Sequence, residues 1–179
     1  MRCLTPIELT QALDAVSMPL HPYEDGANQK LYLQFELPKE NDKQRLLIPK
    51  LITTVTALDF IVVELFEWGE PPTPGDRILS IRRRHNELRY FDEAPAHSIS
   101  SKDSVLASEI VIEATIGMLS NYVYFPYGRS CFYFWEGDLA DFWTDCPTVY
   151  QHIHEIVCSH RLKILHHTEQ SDGGNQIQR

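Results

Sequence analysis

The sequence predicts an α+β protein with a mainly antiparallel sheet, one long buried helix and helices near both ends. Three observations carry this prediction: short segments of alternating hydrophobicity, a capped amphipathic segment near each end, and a long apolar stretch at 103–120. The chain has 179 residues and 43% of them are hydrophobic, enough for one sizeable core. We expect a single domain over residues 1–167, followed by a polar, disordered tail at 168–179.

A first helix is predicted at residues 5–16. Thr5 is a typical capping residue, Pro6 suits the first helical position, and Glu8 stands at the spacing of a capping box. Apolar residues recur at helical spacing along this segment, so one side of the helix should face the core.

The next segments are predicted as strands separated by irregular chain. LYLQFEL (31–37) alternates as a half-buried strand does, and DFIVVELFEW (59–68) is the clearest strand of the first half. The charged residues 39–45 are predicted to be solvated. Residues 46–58 are ambiguous, because Pro49 interrupts a helix and the β-branched run TTVT favours a strand.

Turn-forming residues at 70–76 (EPPTPGD) precede a segment that is predicted as two short strands, 78–92. The first of these strands carries Arg82, Arg83 and Arg84. Strand alternation sends Arg83 to the opposite face from the other two arginines. This arrangement is typical of a charged, solvated sheet edge and not of a nucleic-acid site.

The second half is predicted to contain a buried helix, three strands and a final helix. These elements span 103–120, 121–127, 130–135, 139–144 and 147–160, in that order. A two-residue turn at Gly137 and Asp138 should join the last two strands. Asp145 or Cys146 can cap the final helix, with Pro147 in its first turn.

The two-residue turn predicts which side chains of this hairpin share a face. It places Trp135 opposite Ala140 and Phe134 opposite Asp141. One face is then apolar and belongs to the core: Cys131, Tyr133, Trp135, Ala140 and Phe142. The other face mixes aromatic and acidic residues and should be half-exposed: Phe132, Phe134, Glu136, Leu139, Asp141 and Trp143.

Motifs for catalysis or for cofactor binding are absent from the sequence. His152 and His154 point in different directions on a helix, and no HExxH, GxSxG, GxGxxG or GxxxxGK[ST] pattern occurs. We therefore expect no metal and no cofactor, and a non-enzyme is favoured. A small hydrolase-like enzyme stays open as an alternative, using the carboxylates of Glu136 and Asp141 or a Cys/His site that includes Cys146.

Charge and cysteine usage restrict the partners and the compartment. The net charge of −9 opposes binding to nucleic acid and to anionic membranes, and it favours a basic protein partner. The N-terminus lacks the apolar run of a signal peptide, and no stretch is long enough to span a membrane. We expect a cytoplasmic protein whose four cysteines, Cys3, Cys131, Cys146 and Cys158, are free thiols.

The order of elements over residues 103–160 resembles that of small acidic bacterial immunity proteins, which neutralise a toxin from the same locus. A buried helix is followed by the aromatic segment NYVYFPYGRSCFYFW, a short acidic turn, a strand, and a capped helix beginning at DCPTVYQHIHEI. The resemblance is one of pattern and has no diagnostic motif. It implies a cytoplasmic binding protein without catalytic activity, with a basic toxin domain from a neighbouring gene as its partner.

The acidic aromatic segment is the predicted binding surface for such a partner. It comprises Glu136, Asp138, Asp141, Trp143 and Asp145, with Trp143 as the anchor. Two other interpretations of the segment remain open. It can be a solvated face beside the last helix, or the chain can be a regulatory interaction module with an exposed apolar patch.

Overall fold

The computed structural model describes residues 1–22, 31–55, 59–66 and 75–168, which form an α+β fold. Within these ranges eight strands form one antiparallel sheet: β1 (Arg2–Leu4), β2 (Leu31–Glu36), β3 (Phe60–Phe66), β4 (Ala96–Ser100), β5 (Ser120–Phe125), β6 (Ser130–Trp135), β7 (Leu139–Thr144) and β8 (Ile164–His167). They are accompanied by five α-helices: α1 (Pro6–Asp14), α2 (Asn41–Thr54), α3 (Gly75–Arg84), α4 (Ser104–Ile116) and α5 (Pro147–Ser159). The predicted fold class is confirmed, including helices near both ends.

The sheet separates two layers of side chains and has the strand order β1-β4-β3-β5-β6-β7-β2-β8. One face, which we call the helical face, packs against α2, α4 and α5 and contains the larger part of the core. The opposite face, which we call the aromatic face, packs against α1 and contains Tyr122, Tyr124, Tyr133 and Trp143. Both faces of the central strands are buried, so β5 has no exposed residue.

Helix α1 follows the prediction closely. The backbone N–H of Glu8 donates to Thr5 Oγ1 at 3.3 Å, and the backbone N–H of Thr5 donates to Glu8 Oε2 at 2.9 Å. Leu9 and Leu13 are buried against the aromatic face. The capping box therefore sets the start of the helix, and the apolar spacing sets its orientation.

Helix α2 occupies residues 41–54, where the sequence pattern was ambiguous from residue 46 onwards. The charged residues 41–45 begin this helix and are exposed, as predicted, except for Gln44, and Pro49 lies inside the helix. Four apolar residues of α2 are fully buried on the helical face: Leu47, Ile48, Leu51 and Ile52. Each contributes about 1.5–3 kcal/mol by burial, so the four together contribute about 6–12 kcal/mol, which exceeds the roughly 3 kcal/mol cost of an internal proline.

Helix α3 and the irregular chain that follows it replace the two strands predicted at 78–92. Ile78 and Ile81 are buried in the core at helical spacing, and Arg82 is also fully buried. Arg83 and Arg84 are exposed. The three arginines therefore do not form an exposed strand edge. The turn predicted at 70–76 lies outside the described residues, except for the start of α3.

The buried helix of the second half is shorter than predicted. Helix α4 has 13 residues instead of the expected span 103–120, and α2 has 14, so α4 is not a single dominant helix. Its buried residues lie on several sides because it packs between the sheet, α2 and α3, whereas Glu109 and Glu113 form ion pairs at its surface. Strands β5, β6 and β7 and helix α5 lie where they were predicted, whereas β1, β4 and β8 were not predicted.

Four further predictions concern the whole chain. Its four cysteines form no disulfide with one another, as predicted. None of the helices in the described ranges has the length and apolar character needed to cross a membrane. The single domain over 1–167 stays a prediction, and the tail predicted at 168–179 lies outside the described residues apart from Thr168.

Candidate functional site

The β6–β7 hairpin is present, but its register differs by one residue from the prediction. Trp135 lies opposite Leu139, so the turn has three residues, Glu136, Gly137 and Asp138, and not two. Glu136 and Gly137 have φ values of 28° and 84°, which belong to the left-handed region that favours glycine. The turn closes through the Asp138 backbone N–H, which donates to the Trp135 carbonyl at 2.8 Å.

This shift changes which residues share a face. The alternation of side chains along each strand was predicted correctly. The pairing of the two strands was not, because a shift of one residue moves every side chain of one strand to the opposite face relative to its partner. The helical face carries Phe132, Phe134, Ala140 and Phe142. The aromatic face carries Cys131, Tyr133, Trp135, Leu139, Asp141 and Trp143.

Asp141 is therefore not on an exposed acidic surface. Its side chain is fully buried, with Oδ1 accepting from the Tyr32 hydroxyl at 2.6 Å and from Gln34 Nε2 at 2.9 Å. The Trp135 indole N–H donates to Oδ2. Burial raises the pKa of this carboxyl, and the three donors oppose that shift by stabilising the charged form. Asp141 is a buried acceptor that links β2, β6 and β7.

Trp143 and Asp145 are also separated from the acidic turn. Trp143 is only 7% exposed, and its ring stacks on Tyr32 with centroids 5.4 Å apart. Asp145 is half-buried and forms an ion pair with Arg129 at 3.2 Å. Asp145 follows the end of β7, about 20 Å along the strand from the turn. The five predicted residues do not form one surface.

Glu136 and Asp138 are the predicted residues that lie exposed together. Gln44 Nε2 donates to the Gly137 carbonyl at 2.8 Å, and the Leu37 backbone N–H donates to the Asp138 carbonyl at 2.7 Å. These bonds fix the turn against the start of α2, where Asp42 is also exposed. None of these three carboxylates forms an ion pair with another described residue.

Two glutamates near this turn form ion pairs. Glu36 pairs with Lys163 at 2.7 Å, and Glu40 pairs with Lys43 at 2.8 Å. Met118, which follows α4, is 62% exposed. The end of α4 approaches the turn, because a Cβ atom on Gly137 would lie 3.0 Å from the Thr115 carbonyl oxygen. We call Asp42, Met118, Glu136 and Asp138 the acidic turn surface.

A row of polar and aromatic side chains crosses the aromatic face. From β3 to β8 the directly opposed residues are Glu64, Tyr122, Tyr133, Asp141, Gln34 and His166. The backbones of Glu64 and Asp141 are three strand spacings apart, about 14 Å. Tyr122 and Tyr133 stack between them with centroids 4.3 Å apart. The two buried carboxylates therefore do not form a catalytic pair.

Glu64 is the centre of a second polar cluster that the sequence analysis missed. Its Oε2 accepts from the Tyr124 hydroxyl at 3.0 Å and lies 3.0 Å from His21 Nε2. His21 has a φ of 45°, which is unusual for a residue other than glycine. The detectable signal was Glu64 itself, a single charged residue within the apolar run IVVELF.

The remaining candidate catalytic groups are dispersed. Glu136 is exposed and Asp141 is buried, so the carboxylate pair considered from sequence is not assembled. Cys146 is the N-cap residue of α5 and makes no side-chain capping bond. Cys158 Sγ lies 3.8 Å from His154 Nδ1 on the exposed side of α5. Among the described residues, no three His, Cys, Asp or Glu side chains are placed to hold a metal ion.

Comparison with protein-family models, with curated proteins and with solved structures gave no match for this chain. Functional inference therefore depends on its own geometry and charge.

Proposed function

We propose that the chain is a non-catalytic, cytoplasmic binding protein of the immunity type, which neutralises a basic toxin domain encoded by a neighbouring bacterial gene. The acidic turn surface replaces the five-residue surface inferred from sequence as the docking site. The observation that supports it best is that Glu136 and Asp138 are exposed on a turn bonded to Gln44 of α2, whose first turn carries exposed Asp42, and none of the three carboxylates has an ion-pair partner among the described residues.

Electrostatics favours a basic partner at this surface. The net charge of −9 attracts a cationic protein at long range, and uncompensated carboxylates concentrate that attraction at one end of the sheet. The neighbouring glutamates contribute less, because Lys43 and Lys163 neutralise them. Charge of this kind mainly increases the association rate and gives binding a strong dependence on salt.

Rigidity and an exposed methionine support the same surface. The hydrogen bonds from Gln44 and Leu37 hold the turn before any partner arrives, so little conformational entropy is lost on docking. Met118 provides apolar contact area with an adaptable side chain, and methionine is enriched at protein interfaces.

The test is charge reversal with a matched control. The variant Glu136→Lys/Asp138→Lys and the control Asp14→Lys/Asp103→Lys change the net charge equally, and all four residues are exposed. Binding to the purified product of the adjacent gene is measured by stopped flow and calorimetry at low and high salt. We expect the first variant to weaken binding at least tenfold and to reduce its salt dependence, while the control changes it less than threefold. Equal effects of the two variants would contradict the docking site.

The second candidate function is a small hydrolase-like enzyme, and one observation favours it. The carboxylate of Glu64 contacts both an imidazole and a phenol, the groups that general acid–base catalysis uses. A panel of chromogenic esters and phosphates tests this candidate. Turnover that falls at least tenfold in His21→Gln would support the enzyme, and equal background rates in both proteins would exclude it for these substrates.

A further inference from the structure

The connection between α3 and β4 is immobilised by a buried arginine. Arg82 is fully buried, and its guanidinium donates to the Arg89 carbonyl at 2.8 Å and to the Ala94 carbonyl at 2.7 Å. Its Nε donates to His97 Nε2 at 2.9 Å, and the guanidinium lies 4.2 Å from the centroid of the Phe91 ring. We call residues 85–95 the edge loop. It is irregular in conformation but bonded at several points to the core.

The edge loop is also bonded to the strand at the edge of the sheet. The backbone N–H of Cys3 donates to Glu87 Oε2 at 2.9 Å, and Arg89 Nη2 donates to the Cys3 carbonyl at 2.7 Å. Arg89 and Glu87 form an ion pair at 2.6 Å. These two side chains satisfy the outward backbone groups of β1, so this edge is blocked for pairing with a strand of another chain.

The alternate residues Glu87, Arg89 and Phe91 contact β1 or the buried Arg82. The residues between them therefore point outward. Leu88 is 75% exposed and Tyr90 is 65% exposed. Two large apolar side chains on a segment that is already ordered can be buried by a partner with little further loss of entropy. Tyrosine is also enriched among the residues that dominate binding energy.

The exposed charges around this pair are of both signs. Arg83 precedes the edge loop, and Asp92 and Glu93 lie within it; all three are exposed and form no ion pair with another described residue. In a two-fold arrangement each Arg83 can face the acidic residues of the other copy, because the same patch is used twice. The same patch therefore supplies both the cationic and the anionic partner of each ion pair in such a contact.

We propose that Leu88 and Tyr90, with Arg83, Asp92 and Glu93 around them, form the interface between two copies of this chain. Two molecules of charge −9 repel each other at long range, so a self-association surface needs opposite charges that can pair across it, and this patch carries both signs. A partner surface of one charge sign is a poorer occupant, because Arg83 opposes a basic surface and Asp92 and Glu93 oppose an acidic one. Because the edge of β1 is blocked, the two copies contact each other through side chains and not by pairing strands into a larger sheet.

Sedimentation velocity from about 1 to 300 μM tests the proposal on the full chain. We expect the protein to dimerise within this range and Leu88→Asp or Tyr90→Asp to weaken dimerisation at least tenfold. Val105→Asp is the matched control, because Val105 is 80% exposed on a different element, and it should leave dimerisation unchanged. Circular dichroism verifies that each variant is folded.

A charge-reversal series decides whether the contact is two-fold. Arg83→Glu should weaken dimerisation, and adding Asp92→Arg to the same chain should restore at least part of the loss. A protein that stays monomeric over the whole range, or a dimer that Leu88→Asp and Val105→Asp affect equally, would overturn the proposal. These results are independent of binding at the acidic turn surface, which uses other residues.

Discussion

Asp141 is a carboxylate that accepts from Tyr32 and Gln34 of the distant strand β2 and from Trp135 of its own hairpin. Asp141→Asn places an amide NH₂ against at least one of the N–H groups of Trp135 or Gln34. We expect the free energy of unfolding, measured by urea denaturation, to fall by about 2–4 kcal/mol. Glu136→Gln, at an exposed position of the same hairpin, should change it by less than about 0.5 kcal/mol. A similar value for both variants would show that the buried network contributes little.

His97 should determine how stability changes with pH. Its Nε2 accepts from Arg82 Nε and its Nδ1 lies 3.1 Å from the Val63 carbonyl, so the ring is neutral in the folded protein. Burial, together with the Arg82 charge, lowers the pKa of His97 to about 3. The unfolded chain therefore binds a proton near pH 6.5 that the folded chain excludes. Stability is fully present above that pH and decreases as the pH falls towards about 3.

The expected slope is about 1.4 kcal/mol per pH unit for one proton. It is measured by urea denaturation at a series of pH values between about 4 and 7, within the window that the two pKa values set. His97→Gln retains a donor and an acceptor but does not titrate, so its slope over this range should be smaller by most of that amount. An unchanged slope in this variant would show that other groups cause the acid sensitivity.

At the scale of elements, the β6–β7 turn depends on Gly137. Its φ is 84°, and a Cβ atom at this position would meet the Thr115 carbonyl oxygen at 3.0 Å. Gly137→Ala should lower the free energy of unfolding by about 1–2 kcal/mol. Gly117, with a φ of −78°, is the control, and Gly117→Ala should cost less than about 0.5 kcal/mol. Thermal denaturation of the two variants measures the difference, and equal losses would argue against strain at the turn.

The same turn explains why sequence patterns predicted the strands but not their register. Alternation located β6 and β7 correctly, because period-two hydrophobicity depends on neighbouring residues alone. Turn length does not follow from that period, and the left-handed φ of Glu136 has no sequence signal of its own. A similar limit applies to α2, where the free energy gained by burying its apolar residues exceeds the destabilising effect of Pro49 on the helix.

At the level of the whole molecule, contacts between distant strands determine which of the predicted site residues are exposed. The acidic composition near residues 136–145 was read correctly, but Asp141 and Trp143 are covered by contacts with β2, more than one hundred positions away in sequence. The burial of these two residues follows from the pairing of β2 with β7, and the sequence of neither strand predicts that pairing. The fold class was predictable because it depends on local patterns, whereas the site depends on non-local ones.

We propose that a basic partner docks on the acidic turn surface. Hydrogen–deuterium exchange of the chain, alone and with the purified product of the adjacent gene, locates the docking site, because protection is measured for every peptide at once. We predict that protection will concentrate in peptides that contain residues 38–44, 117–119 and 135–139, with the peptide over 86–93 unchanged relative to the free protein. Protection that omits residues 135–139, or the absence of any protection at saturating partner, would contradict the claim.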